Sequence, residues 1–90
     1  MKVRHIIYSG RVQGVGFRYS VKQIAAGYDV LGYVLNLPDG NVELWLQGEK
    51  SEVDAMEQAI LESHLKGFIK EITTKDVLPD ATLRGFEIRR

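Results

Sequence analysis

Hydrophobic and polar residues alternate along several short stretches of the chain, and a period of two is typical of half-buried strands. In the first of these, residues 3–12, Ile6 and Tyr8 fall on one face. His5 and Ile7 fall on the other. The same pattern, or a run rich in β-branched residues, predicts further strands over residues 30–36, 42–47, 68–77 and, more briefly, 86–88.

Two other stretches repeat their apolar residues at intervals of three and four, which places those residues along one face of a helix. Ser51 with Asp54 three positions later resembles a capping box and predicts that the second helix begins there. Asp29 is a candidate for ending the first helix in a left-handed conformation. The apolar stripes are Phe17, Val21, Ile24, Ala25 and Tyr28 in the first helix, and Val53, Met56, Ile60 and His64 in the second.

The order of these elements is strand, helix, strand, strand, helix, strand, with a short strand at the end. Leu37-Pro38-Asp39-Gly40 predicts a hairpin turn between the second and third strands, because proline fixes φ and glycine accepts a positive φ. This is the split βαβ order of the α+β, ferredoxin-like sandwich: an antiparallel sheet with two helices on one face. Since 90 residues build one two-layer core, we expect a single domain over residues 1–90.

Charge and cysteine content narrow the possible functions. Twelve basic and twelve acidic residues give a formal net charge of zero, whereas nucleic acids and anionic membranes favour a basic excess. The absence of cysteine excludes disulfide and thiolate chemistry. Arg4 and His5 interrupt the N-terminal apolar residues, so no signal peptide is predicted. We therefore expect a cytoplasmic protein that binds neither nucleic acid nor membrane, and we expect a monomer.

Three glycines, Gly10, Gly14 and Gly16, lie between the first strand and the first helix. Glycines there allow a sharp turn in which N–H groups converge on an anion, and the helix adds the positive end of its dipole. Arg18 falls in the first helical turn, where a cation costs roughly 0.3–1 kcal/mol unless an anion is bound. The sequence thus predicts a phosphate-binding loop over residues 10–18, with a tight turn and a surface arginine as the alternative.

The chain offers no obvious general acid or base. His5 and His64 have no metal-like spacing, and no paired carboxylates or Ser-His-acid set stands out. Phosphoryl transfer relies mainly on positioning and charge stabilisation, and a carboxylate leaving group departs without a proton. Asn36 is the candidate for orienting a water molecule, because its amide both accepts and donates hydrogen bonds. Ordinary turn chemistry before Leu-Pro-Asp-Gly is the competing interpretation of Asn36.

Two segments, GRVQGVGFR at 10–18 and GYVLNLPDGNVE at 32–43, closely resemble the two signature segments of acylphosphatases. The resemblance continues to GFEI at 85–88. It implies a ferredoxin-like α/β sandwich that hydrolyses a small carboxyl phosphate to carboxylate and orthophosphate, without metal or cofactor. Inorganic phosphate would then act as product and inhibitor.

The same resemblance implies roles for individual residues. Arg18 matches the family's phosphate-binding catalytic arginine, and Asn36 matches the asparagine that orients the attacking water, whose proton passes to the phosphate. The chain departs from the family pattern at Tyr33, where Trp is common, at Leu35, where a basic residue is common, and at Asp29, where Gly is common. The backbone amides implied to hold the phosphate with Arg18 are those of Gln13, Gly14, Val15, Gly16 and Phe17.

Three other functions remain open at this point. A non-catalytic module of the same fold would bind an anion at Arg18 without turnover. An RNA-binding sheet would stack bases on Trp45 and Tyr33, although zero net charge argues against it. A detached domain of a larger carbamoyl-transfer protein is the third, and the length of 90 residues favours a free-standing enzyme instead.

Overall fold

A computed structural model describes all 90 residues and shows a five-stranded sheet with two α-helices. The predicted order of elements is confirmed, including the short last strand predicted over residues 86–88. The elements are β1 (Lys2–Gly10), α1 (Phe17–Ala25), β2 (Val30–Asn36), β3 (Val42–Gly48), α2 (Lys50–Leu61), a 3₁₀ helix (His64–Phe68), β4 (Ile69–Asp76) and β5 (Phe86–Arg89). Neither helix has the length and apolar composition that crossing a membrane would require.

The sheet has the strand order β4-β1-β3-β2-β5. The ferredoxin-like sandwich is confirmed, but the sheet is mixed, because β5 runs parallel to β2 with Phe86 opposite Gly32. The other neighbours are antiparallel, as predicted. β4 ends beside the start of β1, where Asp76 is opposite Arg4. Residues 77–85 then cross from the β4 edge of the sheet to the β2 edge without changing ends. β5 therefore starts at the end where β2 starts, and the two strands run parallel.

The core lies between the sheet and the two helices. Ile6 and Tyr8 are buried on this side of β1, as the alternation predicts. Phe17 and Val21 of the predicted stripe are buried from α1, and full burial of such side chains stabilises the fold by roughly 1.5–3 kcal/mol each. The other buried members of this core are Val12, Ala25, Val30, Val34, Val42, Leu44, Leu46, Val53, Met56, Ile60 and Leu65.

The end of α1 differs from the prediction. The helix ends at Ala25 in right-handed geometry, and no residue other than glycine has a positive φ, so Asp29 is not left-handed. The N–H of Asp29 instead donates to Glu52 Oε1 at 2.8 Å. A contact with the second helix therefore fixes this backbone, and the local preference of Asp does not decide it.

The predicted capping box is also wrong. α2 begins at Lys50, its N-cap Glu49 makes no side-chain capping bond, and His64 lies in the 3₁₀ helix beyond it. The Asp54 carboxylate accepts hydrogen bonds from Lys50 at 2.6 Å and from Arg4 at 3.0 Å. These bonds, first from Lys50 and then from Arg4, hold the pKa of Asp54 below its usual value. The Asp54 carboxylate thus bonds to two cationic side chains and not to the backbone N–H group that a capping box requires.

The sheet face away from the helices is partly covered, because the segment 77–85 contacts it. Gln47 is buried at 4% exposure. Its Nε2 donates to the Asp80 carbonyl at 3.1 Å, and the Asp80 N–H donates to Gln47 Oε1 at 2.9 Å. Leu83 is buried as well. This reciprocal amide pair fixes the connection that carries β5 to its edge.

The two aromatic residues considered for base stacking lie on the same face and contact each other. The rings of Tyr33 and Trp45 stack with centroids 5.9 Å apart. The Arg89 guanidinium lies 4.1 Å from the centroid of the Tyr33 ring. Burial, with a hydrogen bond to Glu43, raises the pKa of Tyr33 to about 12. Both rings are therefore engaged in contacts within the chain.

We expect Gln47→Ala to lower the free energy of unfolding by about 1–3 kcal/mol, because the Asp80 N–H loses its acceptor and the Asp80 carbonyl loses one of its two donors. Urea denaturation followed by circular dichroism measures this change. Gln58→Ala is the matched control, since Gln58 is exposed on α2, and it should change stability by less than about 0.5 kcal/mol. Equal effects of the two substitutions would show that the Gln47–Asp80 pair does not stabilise the connection.

Candidate functional site

The loop between β1 and α1, residues 11–16, has a tightly constrained backbone. It begins where the Arg11 N–H donates to the Phe68 carbonyl at 2.9 Å. A Cβ atom at Gly10 would collide with the same carbonyl oxygen, so only glycine allows this approach. Gly14 and Gly16 both have φ of 76°, a left-handed conformation that costs other L-residues roughly 1–2 kcal/mol.

The backbone N–H groups of this loop and of the first helical turn face no acceptor in the protein. No N–H from Val12 to Tyr19 donates a hydrogen bond within the chain, and the Ser20 N–H is the first to close a helical turn, on the Gly16 carbonyl at 3.0 Å. Gly16 is the N-cap and makes no side-chain capping bond, whereas Ser, Thr or Asp there would occupy one donor. A row of free N–H groups at a helix N-terminus attracts an anion.

Residues of this loop and of the first helical turn line a cleft of about 270 Å³ together with Asn36. Arg18 extends from the first turn of α1, and its Nη1 donates to the Arg89 carbonyl at the end of β5 at 3.2 Å. The side chains that line the cleft include two arginines and no Asp or Glu, although the chain as a whole has no formal net charge. The residues that line it are Val12, Gly14, Gly16, Phe17, Arg18, Tyr19, Asn36, Ile88 and Arg90.

Asn36 is the last residue of β2, and its side chain takes no part in the turn that follows. Its Oδ1 is buried and has no hydrogen-bond partner. The turn is closed by other groups, among them Asp39 Oδ1, which accepts from the Asn41 N–H at 3.0 Å. A buried oxygen without a partner costs about 1–3 kcal/mol. Turn chemistry therefore does not explain Asn36, a residue that lines the cleft and whose amide oxygen has no partner in the chain.

The model of the acylphosphatase family matches residues 4–88. The chain belongs to the acylphosphatase family. An acylphosphatase of Chlorobaculum tepidum is 39% identical over 84 residues, which cover 93% of this chain and 91% of the relative. Among solved structures, the acylphosphatase of Bacillus subtilis matches with a TM-score of 0.89 and 30% identity over the full length of both chains.

A larger protein also contains this fold. HypF of T. kodakarensis matches all of this chain with a TM-score of 0.85 and 32% identity, but the match covers 12% of HypF. The acylphosphatase of Trichormus variabilis, by contrast, is 37% identical over 86 residues, which cover 84% of that relative. Relatives of this chain thus include proteins of similar length and a much longer one.

The structure brings most of the predicted site residues to the cleft, with two exceptions. Gln13 directs its side chain away, and its Nε2 donates to the carbonyls of Leu37 and Asn41, each at 2.8 Å. Val15 packs its side chain against the core. The backbone N–H groups of both residues are unpaired. The prediction that Gln13 and Val15 bind phosphate therefore concerns their backbone N–H groups and not their side chains.

Ile88 and Arg90 are cleft residues that the sequence did not reveal. They reach the site only because β5 pairs with β2, beside Val34. The single sequence signal was the basic pair that follows the last strand. Tyr19, at 63% exposure, also lines the cleft and was missed, although it adjoins Arg18.

The departures from the family pattern do not change the cleft lining. Tyr33 and Leu35 alternate with Asn36 along β2 and lie on the other face of the sheet, and Asp29 precedes the far end of β2. Neither His5 nor His64 lines the cleft. The residues at the site of this acylphosphatase-family chain are therefore those of the two signature segments, the adjoining Tyr19 and the end of the chain at Ile88 and Arg90.

We expect Gly16→Ala to lower the free energy of unfolding by about 1–2 kcal/mol, because a Cβ is strained at this φ although nothing lies within 4 Å of it. Gly67→Ala is the matched control, since Gly67 is equally uncrowded but has no positive φ. That control should be neutral or stabilise by up to about 1 kcal/mol. Urea denaturation distinguishes them, and equal values would contradict a strained backbone at Gly16.

Proposed function

We propose that this chain hydrolyses the carboxyl-phosphate bond of small acyl phosphates and releases carboxylate and orthophosphate. The observation that carries the proposal is the uninterrupted row of free N–H groups from Val12 to Tyr19, beside Arg18 and Asn36 in a cleft without Asp or Glu side chains. Family membership supports it, because the relatives compared above include proteins named as acylphosphatases.

The phosphoryl group would lie against the N–H groups of Gln13 to Phe17, with the Arg18 guanidinium on its oxygens. Guanidinium matches phosphate with two parallel hydrogen bonds. One nitrogen of Arg18 already donates to the Arg89 carbonyl, and this bond restricts the side chain while other donors stay free. A bound phosphate would also compensate the helix dipole, so the cation in the first turn would no longer be unfavourable.

Asn36 would orient the attacking water. Its amide oxygen would accept one water hydrogen, and its amide nitrogen would donate to a phosphate oxygen. The water oxygen forms a bond to phosphorus as the bond between phosphorus and the acyl oxygen breaks. The electron pair of that bond leaves with the carboxylate, and the proton of the water passes to a phosphate oxygen. No side chain has to accept or supply a proton, in agreement with the lining of the cleft.

We further propose that the enzyme acts as a monomer in the cytoplasm and binds no nucleic acid. A formal net charge of zero supports the absence of nucleic-acid binding, because nucleic acids favour a basic excess. Light scattering would give the 10.2 kDa mass of one chain if the enzyme is a monomer.

We expect Arg18→Ala nearly to abolish hydrolysis of benzoyl phosphate, because the developing negative charge loses its cation. We expect Asn36→Ala to lower kcat by about 10²–10³-fold, as for removal of one oriented group from a transition state. Arg84→Ala is the matched control, since Arg84 is exposed and lies outside the cleft, and it should retain activity.

Near-normal rates in both site variants would overturn the mechanism. A wild-type protein that binds inorganic phosphate but does not hydrolyse benzoyl phosphate would support the non-catalytic anion-binding module instead.

We expect inorganic phosphate to inhibit competitively, because it presents the same oxygens to the loop. In a phosphate titration by NMR, the amide signals of residues 13–18 should shift most. Arg18→Ala should weaken both the inhibition and the shifts. Shifts spread over the surface, or non-competitive inhibition, would place the anion outside this loop.

A further inference from the structure

Gln13 lies in the middle of the loop 11–16, yet its side chain bonds to the β2–β3 turn. Its Nε2 donates to the carbonyls of Leu37 and Asn41. Each carbonyl already accepts one bond within the turn, the first from the Gly40 N–H at 3.1 Å and the second from the Leu37 N–H at 2.8 Å. Since a carbonyl oxygen has two lone pairs, the Gln13 amide completes the hydrogen bonding of both.

These two bonds are the only hydrogen bonds between the loop 11–16 and the turn 37–41. The loop has two other hydrogen bonds to its surroundings, from the Arg11 N–H to the Phe68 carbonyl and from the Ser20 N–H to the Gly16 carbonyl. Val12 and Phe17, buried at 0% and 2% exposure, fix its two ends in the core. Between those ends, Gln13 alone connects the free N–H groups by hydrogen bonds to the strand end that carries Asn36.

We infer that Gln13 is a positioning residue that sets the distance between the N–H groups of the loop and the amide of Asn36; this inference rests on the proposed function. One of its acceptors, Leu37, directly follows Asn36 in the chain. The loop holds the phosphorus and Asn36 holds the water, so their separation determines whether the water is in line for attack. A misplacement of about 1 Å in such a geometry costs about 10²-fold in rate.

The chemistry of the contact explains why an amide is needed. Both acceptors are carbonyl oxygens, so the side chain must supply two hydrogens from one nitrogen, which the Gln amide does. An ionised Glu at this position has no hydrogen to donate, and its carboxylate would repel the carbonyl oxygens of Leu37 and Asn41. Met has a similar length without donors, so Gln13→Met removes the bonds with little change in volume.

The test is a double-mutant cycle between Gln13→Met and Asn36→Ala, with kcat and KM for benzoyl phosphate and the inhibition constant of inorganic phosphate as readouts. We expect Gln13→Met alone to lower kcat by about 10–100-fold and to change the phosphate inhibition constant by less than about threefold. In the Asn36→Ala background it should lower kcat by less than about twofold, because the residue it positions is gone.

The controls separate this inference from a general loss of structure. Gln58→Ala, on the exposed side of α2, should leave kcat unchanged in both backgrounds. Circular dichroism establishes that each variant is folded at the assay temperature. If Gln13→Met does not fold, Gln13→Glu replaces it in the cycle. Its kcat relative to wild type should recover in part as the pH falls, because the protonated carboxyl group can donate one of the two hydrogen bonds.

Two results would overturn the inference: an equal fall in kcat in both backgrounds, which indicates a purely structural role, or a wild-type kcat in the folded Gln13 variants. A wild-type protein without acyl phosphate hydrolysis would instead refute the proposed function. The two failures are therefore distinguishable.

Discussion

The first turn of an α-helix cannot satisfy its own N–H groups, and in this protein the preceding loop leaves its N–H groups free as well. From Val12 to Tyr19 no backbone donor has a partner in the chain. Left-handed glycines make that conformation possible, and a glycine N-cap keeps side-chain acceptors away. Arg18 adds a cation at the same helix end. The unpaired donors and the cation at this helix end are unfavourable by themselves, and one bound anion would compensate both.

The rest of the fold keeps this helix end in place and brings a second group towards it. Buried Val12 and Phe17 fix the two ends of the loop in the core between sheet and helices. β2 carries Asn36 to the same end of the sheet, and β5 supplies the carbonyl that restrains Arg18. The connection 77–85, held by Gln47, is what allows β5 to lie beside β2. The Gln47–Asp80 hydrogen bonds thus support the position of β5, and through it the position of Arg18, although they lie far from the cleft.

Sequence patterns predicted the elements and the layers well where a regular period was available. The alternation in β1 and the stripe on α1 correspond to buried Ile6, Tyr8, Phe17 and Val21. Local capping signals failed: Asp54 pairs with Arg4 from a strand 50 positions away, and Asp29 bonds to Glu52 in the other helix. Such partners are set by tertiary contacts, which a window of a few residues does not contain.

For the candidate site, the sequence by itself determined which chemical groups are present: the glycine loop that frees the N–H groups, Arg18 in the first turn, and Asn36 before a tight turn. These are local properties of the backbone and of residue type, so a single segment specifies each. Only the tertiary structure decided that they share one cleft, that Ile88 and Arg90 join them, and that the side chain of Gln13 turns away to bond with the hairpin. The reason is that these positions depend on the pairing of β5 with β2 and on contacts between distant loops. For such contacts, the separation of two residues along the chain does not tell how far apart they lie in space.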